Sequence, residues 1–411
     1  MTTRKKLLYQ ISLWTLLIAA IILLLSISPA LMTPENLAAD DFGHFWASGK
    51  LTLKDQNPYD PQAILNLLYQ VGRLPENTSI VSIMLNPPWS LPIVMLFAMF
   101  SYPVSRMLWL IINIMIIMVS ATMLWSIYRG PKKKQWLAWL IAFTFTPSIA
   151  TLQKGQYTPL ILIGLVGFLA VADQINAESS RRFNNNQLIL IAGFSISLMA
   201  IKPQLLYLFW LGLLLWCWQQ RKLMILMVGG LFLIIEIIIP TLFNPNVLLQ
   251  YIHNILEYPL SEWATPTISS YLRWLLGLNK LWLQLLPPLL GASWFMYHWY
   301  HRRNNWIWIS EMPVLVLVSV VTSPYYWTYD LVTLLPAIIL VTVTLLTHLR
   351  HRPLTKRDSV TIFVFIAINI LNIALHTALN EFWFGWVAPA LLIWFLFSYH
   401  DDSSTVIEQY G

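Results

Sequence analysis

Residues 7–27 read LLYQISLWTLLIAAIILLLSI, 21 positions without a charged side chain. An α-helix needs about 20 predominantly apolar residues to cross the hydrocarbon core of a bilayer, so this stretch predicts a membrane-spanning helix. It is long for the apolar part of a secretory leader, and Ser28-Pro29-Ala30 makes a poor cleavage site, so it reads as an anchor. The rest of the chain has the same character. Of its 411 residues 57% are hydrophobic and 10% charged, against roughly 25% charged in soluble domains, which excludes an ordinary soluble enzyme. Further apolar stretches lie near 105–128, 136–151, 157–173, 187–201, 204–219, 223–240, 281–300, 306–322, 328–348, 359–375 and 383–399. The sequence thus predicts an all-α polytopic membrane protein of about 12 transmembrane helices, with residues 1–411 forming a single integral membrane domain.

Lys and Arg are enriched in cytoplasmic loops, so their positions orient the chain. Seventeen of the 25 fall in six clusters: Arg4/Lys5/Lys6, Arg129/Lys132/Lys133/Lys134, Arg181/Arg182, Arg221/Lys222, Arg302/Arg303 and Arg350/Arg352/Lys356/Arg357. All six share one side when the amino terminus is cytoplasmic, which also makes residues 400–411 (HDDSSTVIEQYG) a short cytoplasmic tail. The net charge of +7 is therefore topological. No basic stripe is interleaved with aromatic residues, which excludes nucleic acid as a partner.

Residues 80–101 (IVSIMLNPPWSLPIVMLFAMFS) are apolar enough to cross, but a full crossing would turn every later basic cluster outward. Pro87, Pro88 and Pro92 break the stretch, which predicts a re-entrant or interface-parallel helix. The alternative is a full span compensated by a change elsewhere. Residues 28–104 then form a long extracytoplasmic loop, carrying Asp40, Asp41, Asp55, Asp60 and Glu76. Helix-like runs from His44 and from Pro61 predict a small cap lying on the membrane surface.

In a chain with so few polar residues, those that remain in the outer loops mark candidate chemistry. Asp40 and Asp41 open a helical run; either caps its backbone N–H groups, or one serves as a general base whose pKa rises with partial desolvation. Lys202-Pro203-Gln204 sits at an outer turn, where the lysine either snorkels to headgroups or supplies a fixed charge for the phosphate of a lipid. In Lys154-Gly155-Gln156-Tyr157 the glycine permits an unusual φ, and Gln156 offers both donor and acceptor to a hydroxyl-rich ligand. Ser323-Pro324-Tyr325-Tyr326-Trp327-Thr328-Tyr329-Asp330 combines belt aromatics with a carboxylate that is costly at the head of an apolar span unless paired or used. These four pieces converge on the outer face.

Other chemistry finds little support, with a divalent metal left open. There is no GxxxxGK[ST] or GxGxxG loop, which disfavours a soluble nucleotide donor. The histidines lack metal-ligand spacing and the one cysteine is Cys217, so no cofactor is called for and no divalent metal is supported. Glu236 and Glu311, near apolar spans, read as structural groups; His44, three residues after Asp41, is the one histidine of interest.

Six pieces in order resemble glycosyltransferase family 87. They are Asp41-Phe42 with FGHFWASGKL, Asn57-Pro58-Tyr59-Asp60, Asn86-Pro87-Pro88, Gly155-Gln156, Lys202-Pro203, and Ser323-Pro324 with Trp327. The resemblance implies a GT-C-type enzyme that takes a sugar, mannose-like hexose favoured, from a polyprenyl-phosphate carrier and passes it to a hydroxyl of a lipid or glycan acceptor. It implies Asp41 as the base, with Asp40 as the alternative, and Lys202 as a donor-phosphate ligand. Arg73 is a second candidate for the phosphate. His44, Tyr59, Asp60, Gln156, Gln204, Trp327, Tyr329 and Asp330 are candidate substrate-binding residues. Many members carry a His shortly after the Trp of the last piece; here the chain reads Thr328-Tyr329-Asp330. Competing readings are a lipid-linked glycan polymerase or ligase, and a transporter or flippase, the latter expected to show discontinuous helices at mid-membrane.

Overall fold

The computed structural model describes residues 41–73, 83–176, 184–259, 262–376 and 378–399. The predicted span at 7–27, Asp40 and the tail at 400–411 lie outside the described residues. Those described contain helices and no strand. They fall into two compact units: one takes the chain up to Met115 together with Glu236–Asn254, the other Ile116–Ile235 and the chain from Ile255 onward.

The first unit begins with α1 (Asp41–Leu53), α2 (Pro61–Gln70) and α3 (Leu91–Ala98). Asp60 starts α2: its Oδ1 accepts from Gln62 N at 2.9 Å and Ala63 N at 3.4 Å, with Pro61 at the first helical position. Helix α1 is buried along almost its whole length. Phe42 stacks on Trp109 (centroids 5.2 Å apart), and Gly49 lets α1 meet α3 at backbone distance, where a Cβ would lie 2.9 Å from the Val94 carbonyl. The predicted break in residues 80–101 is seen as a 3₁₀ turn at Pro88–Ser90 followed by α3. Eight helical residues extend about 12 Å, far short of the ~30 Å hydrocarbon core. Helix α4 (Tyr102–Ile127) leads out of this unit.

The second unit continues with α5 (Trp136–Thr144), α6 (Thr146–Lys154), α7 (Thr158–Asn176), α8 (Asn185–Met199) and α9 (Tyr207–Gln219). After α10 (Leu223–Phe243) and α11 (Val247–Glu257) come α12 (Ile268–Leu276), α13 (Trp282–Arg302), α14 (Trp308–Thr322), α15 (Leu335–His351), α16 (Lys356–His376) and α17 (Val387–Ser398). Helices α7 and α8 pack closely through Gly164 and Gly167, where a Cβ would meet the Ser195 carbonyl and hydroxyl at 2.8 and 2.6 Å. Phe168, Phe209, Trp216 and Trp308 interlock as the aromatic core.

Among the described residues five segments are long and apolar enough to cross a membrane: Tyr102–Ile127, Leu223–Phe243, Thr328–His351, Lys356–His376 and Glu381–Ser398. Counting each of two bent pairs as one span raises the number among the described residues to seven; of the 12 expected over the whole chain, the one at 7–27 lies outside those residues. Several of the expected stretches take a particular form. The stretch 136–151 is broken by 60° between Thr144 and Thr146, just before Pro147. The 187–201 and 204–219 stretches form one pair bent by 118° at Lys202-Pro203. Trp308–Thr322, apolar enough to read as a span, is a 15-residue helix buried on nearly every side, so its apolarity serves the protein interior.

Candidate functional site

In the second unit, three of the six motif pieces meet around one carboxylate. Helix α6 ends at Gly155, whose left-handed conformation (φ +66°) turns the chain so that Gln156 and Thr158 follow at once. Lys202 precedes a proline, which holds it out of the helix at φ −133°, ψ 74° between α8 and the 3₁₀ turn Pro203–Leu206. Asp330 lies in the 3₁₀ segment Thr328–Leu334 ahead of α15. Lys202 Nζ donates to Asp330 Oδ1 at 2.7 Å and to Gln156 Oε1 at 3.0 Å. Thr158 Oγ1 donates to the same Asp330 Oδ1 at 2.8 Å, and the Trp327 backbone N–H donates to Oδ2 at 3.0 Å. The Tyr329 ring lies 5.0 Å from the ammonium and close to parallel with Trp327, while Thr151 Oγ1 donates to the Tyr329 carbonyl. Asp330 is fully buried and Lys202 nearly so. This is a closed, hydrogen-bonded ion pair, the condition under which a buried carboxylate and ammonium tolerate loss of water. Gln204 joins through its backbone, its carbonyl accepting from Ser323 Oγ at 3.2 Å.

The first unit collects the other three pieces. Ser48 Oγ of α1 donates to the Pro58 carbonyl at 2.7 Å, and the Asn57 side chain accepts from Tyr59 N at 3.0 Å. Tyr59 is buried and its hydroxyl donates to the Asn86 carbonyl at 3.3 Å. Asp41 stands half-buried in the first turn of α1. His44, one turn on, is buried, with its Nε2 3.3 Å from Arg73 Nη1. Arg73 is held in place by the positive-φ residue Gly72 (φ +108°), and burial pushes its guanidinium below the usual range. Beside Tyr59, burial raises the Tyr251 phenol to about 12.

The residues expected to act together thus fall into two sets. Gln156, Lys202, Tyr329 and Asp330 come into contact, with Trp327 and Gln204 alongside; Asp41, His44, Tyr59 and Arg73 lie in the other unit, and Asp60 is occupied as a helix cap. Thr151 and Thr158, which tie Tyr329 and Asp330 into place, escaped the sequence reading. Their only signal was a hydroxyl next to the Gly155-Gln156 piece. Glu311 also finds a partner that spacing did not reveal, His298 Nε2 at 2.6 Å. Among the described residues no three His, Cys, Asp or Glu side chains are grouped to hold a metal.

Residues 85–324 match the family model of glycosyltransferase family 87, a segment that takes in Asn86-Pro87-Pro88, Gly155-Gln156, Lys202-Pro203 and Ser323-Pro324 and ends before Trp327. No curated protein and no solved structure is matched. With more than half of its length covered by that match and the matched pieces gathered as described, the chain belongs to glycosyltransferase family 87.

Proposed function

We propose that this membrane glycosyltransferase moves a sugar, a mannose-like hexose by preference, from a polyprenyl-phosphate carrier to a hydroxyl of a lipid or glycan acceptor at the extracytoplasmic face. The observation that carries the proposal is the half-buried Asp41 at the head of a helix whose next turn presents His44 against the buried Arg73. One unit thereby supplies both a carboxylate and a cation suited to a phosphate. The absence of a nucleotide-phosphate loop from the sequence supports a lipid-borne donor.

Asp41 takes the proton of the acceptor hydroxyl as that oxygen bonds to the anomeric carbon. The bond from the anomeric carbon to the phosphate oxygen breaks, and its electron pair leaves with the phosphate. Arg73 stabilises the departing charge, so no acid is needed to protonate it. A single displacement inverts the anomeric carbon, unlike the paired-carboxylate arrangement of retaining glycosidases. Lys202, in the second unit, is the alternative to Arg73 as donor-phosphate ligand. Asp330 and Gln156 take two of its three N–H groups, and in that alternative the third serves a phosphate oxygen. His44 and Tyr59 are assigned to the substrate beside Asp41 in the first unit, and Trp327 and Tyr329 stay candidate substrate contacts of the second unit, each unit taken by itself. The termini are assigned to the cytoplasm and residues 28–104 to the outer side from the distribution of basic clusters, in a GT-C-type arrangement.

The test is transfer by purified protein in vesicles, offering radiolabelled polyprenyl-phosphate mannose, glucose and arabinofuranose, and the matching nucleotide sugars, with a membrane lipid extract as acceptor. Labelled product from a polyprenyl-phosphate sugar alone is expected. Product from a nucleotide sugar in the absence of polyprenyl carrier, or passage of label across the vesicle without covalent product, would overturn the proposal.

A further inference from the structure

Helix α11 carries three different faces along its eleven residues. At about 100° per residue, Val247, Tyr251 and Asn254 form one stripe, and each is packed or bonded inward. Val247 is buried, the Tyr251 ring lies 5.3 Å from that of Tyr59 and 6.5 Å from that of Trp89, and Asn254 Nδ2 donates to the Met84 carbonyl at 2.9 Å. A second arc, also about 100° wide, holds Leu248, Leu249, Ile252 and Leu256, all exposed; Leu249 and Leu256 are 68% and 75% exposed. His253 and Glu257, exposed as well, form the third. A helix with a packed stripe needs one further face if it borders water. This one has two, apolar and polar, side by side.

What covers the apolar arc follows from the chain just before it. Helix α10 is long and apolar enough to cross a membrane and exposes Leu231, Ile234, Ile238 and Leu242. Its exposed apolar positions continue along the chain through Leu242 and Phe243 to Leu248 and Leu249. Between the helices, Asn244 stops the span with a fully bonded turn. Its N–H donates to the Pro240 carbonyl, its Oδ1 accepts from Asn246 N at 3.0 Å, and its Nδ2 donates to the Gln56 carbonyl at 2.9 Å and to Gln250 Oε1 at 2.8 Å. The lipid-facing surface of a span therefore continues onto a helix too short to cross, with a polar edge beside it. That combination is what the boundary between headgroups and acyl chains selects.

We infer that α11 lies in the headgroup boundary of the bilayer, with Leu248, Leu249, Ile252 and Leu256 among the acyl chains and His253 and Glu257 in water. Through Asn244, Tyr251 and Asn254 it fixes the segments around Asn57-Tyr59 and Met84-Asn86 at that depth. The inference is independent of which sugar or carrier the enzyme uses.

The test uses the full chain in phosphatidylcholine vesicles with brominated acyl chains, carrying a bimane label at Leu249→Cys, Leu256→Cys or His253→Cys. The buried native Cys217 sets the labelling background, measured on the unsubstituted protein. Quenching at positions 249 and 256 is expected to exceed that at 253 by at least about twofold, the contrast expected of a helix seated ~5–10 Å into the boundary. Equal quenching at all three positions would mean that the helix is immersed in lipid, and absence of quenching at 249 and 256 that the arc faces water. Disulfide cross-linking of Leu249→Cys between copies, in place of quenching, would mean that a second chain covers it. Each of these results overturns the inference.

Discussion

Around Asp330 the functional groups themselves hold the second unit's motif pieces together, because Lys202, Gln156, Thr158 and the Trp327 N–H all end on one carboxylate or on the ammonium that faces it. In the first unit the bonds joining the motif segments end on backbone carbonyls, from Ser48 to Pro58 and from Tyr59 to Asn86. The two arrangements have different consequences. A side chain used as a structural tie resists substitution because a buried partner is stranded when it goes. A backbone tie positions a segment while its side chains keep their chemistry. Asp330, which the sequence required to be paired or used, is paired with Lys202, and we propose Asp41 for the chemistry.

Four substitutions sharpen or break this contrast. Asp41→Asn is expected to lower the rate of sugar transfer by about 10²- to 10⁴-fold, the usual contribution of a general base, with an unchanged thermal midpoint in detergent; a large fall in midpoint would make Asp41 a structural group like Asp330. Lys202→Met leaves Asp330 buried without its counter-ion and is expected to destabilise the fold by about 3–5 kcal/mol. Most of that should return in the double variant Lys202→Met/Asp330→Leu, and thermal unfolding of both proteins checks it. Gly49→Ala pushes a Cβ against the Val94 backbone and should cost about 1–3 kcal/mol by overpacking, measured in the same way. Tyr59→Phe removes one hydrogen bond to a backbone carbonyl and should cost about 1 kcal/mol, the smallest change of the four.

Much of this was legible in the sequence, and the exceptions have physical causes. Hydropathy located the long apolar helices, but it records apolarity and not what lies outside it. The buried α14 therefore reads as a span just as the exposed α10 does. The bends at Thr146 and Lys202 were marked by prolines, yet an apolar window runs across a break that leaves its composition unchanged. The cost of burying Asp330 required a partner, and a lysine beside a helix break was available, but the pairing of Lys202 with a residue 128 positions away depends on tertiary structure. Helix α11 was passed over because a window of about 20 residues misses an 11-residue amphipathic pattern. Asp60, suggestive beside Tyr59, sits directly before Pro61, and that placement was already the signature of a helix cap.

Chemical rescue tests the assignment of Asp41 most directly. In Asp41→Ala, transfer from the polyprenyl-phosphate sugar to the natural acceptor is expected to stop. Added azide, which needs no base, should restore turnover as a glycosyl azide whose anomeric configuration is opposite to that of the donor. Glycosylation of the acceptor by Asp41→Ala at the rate of the unsubstituted enzyme, without azide, would contradict the account.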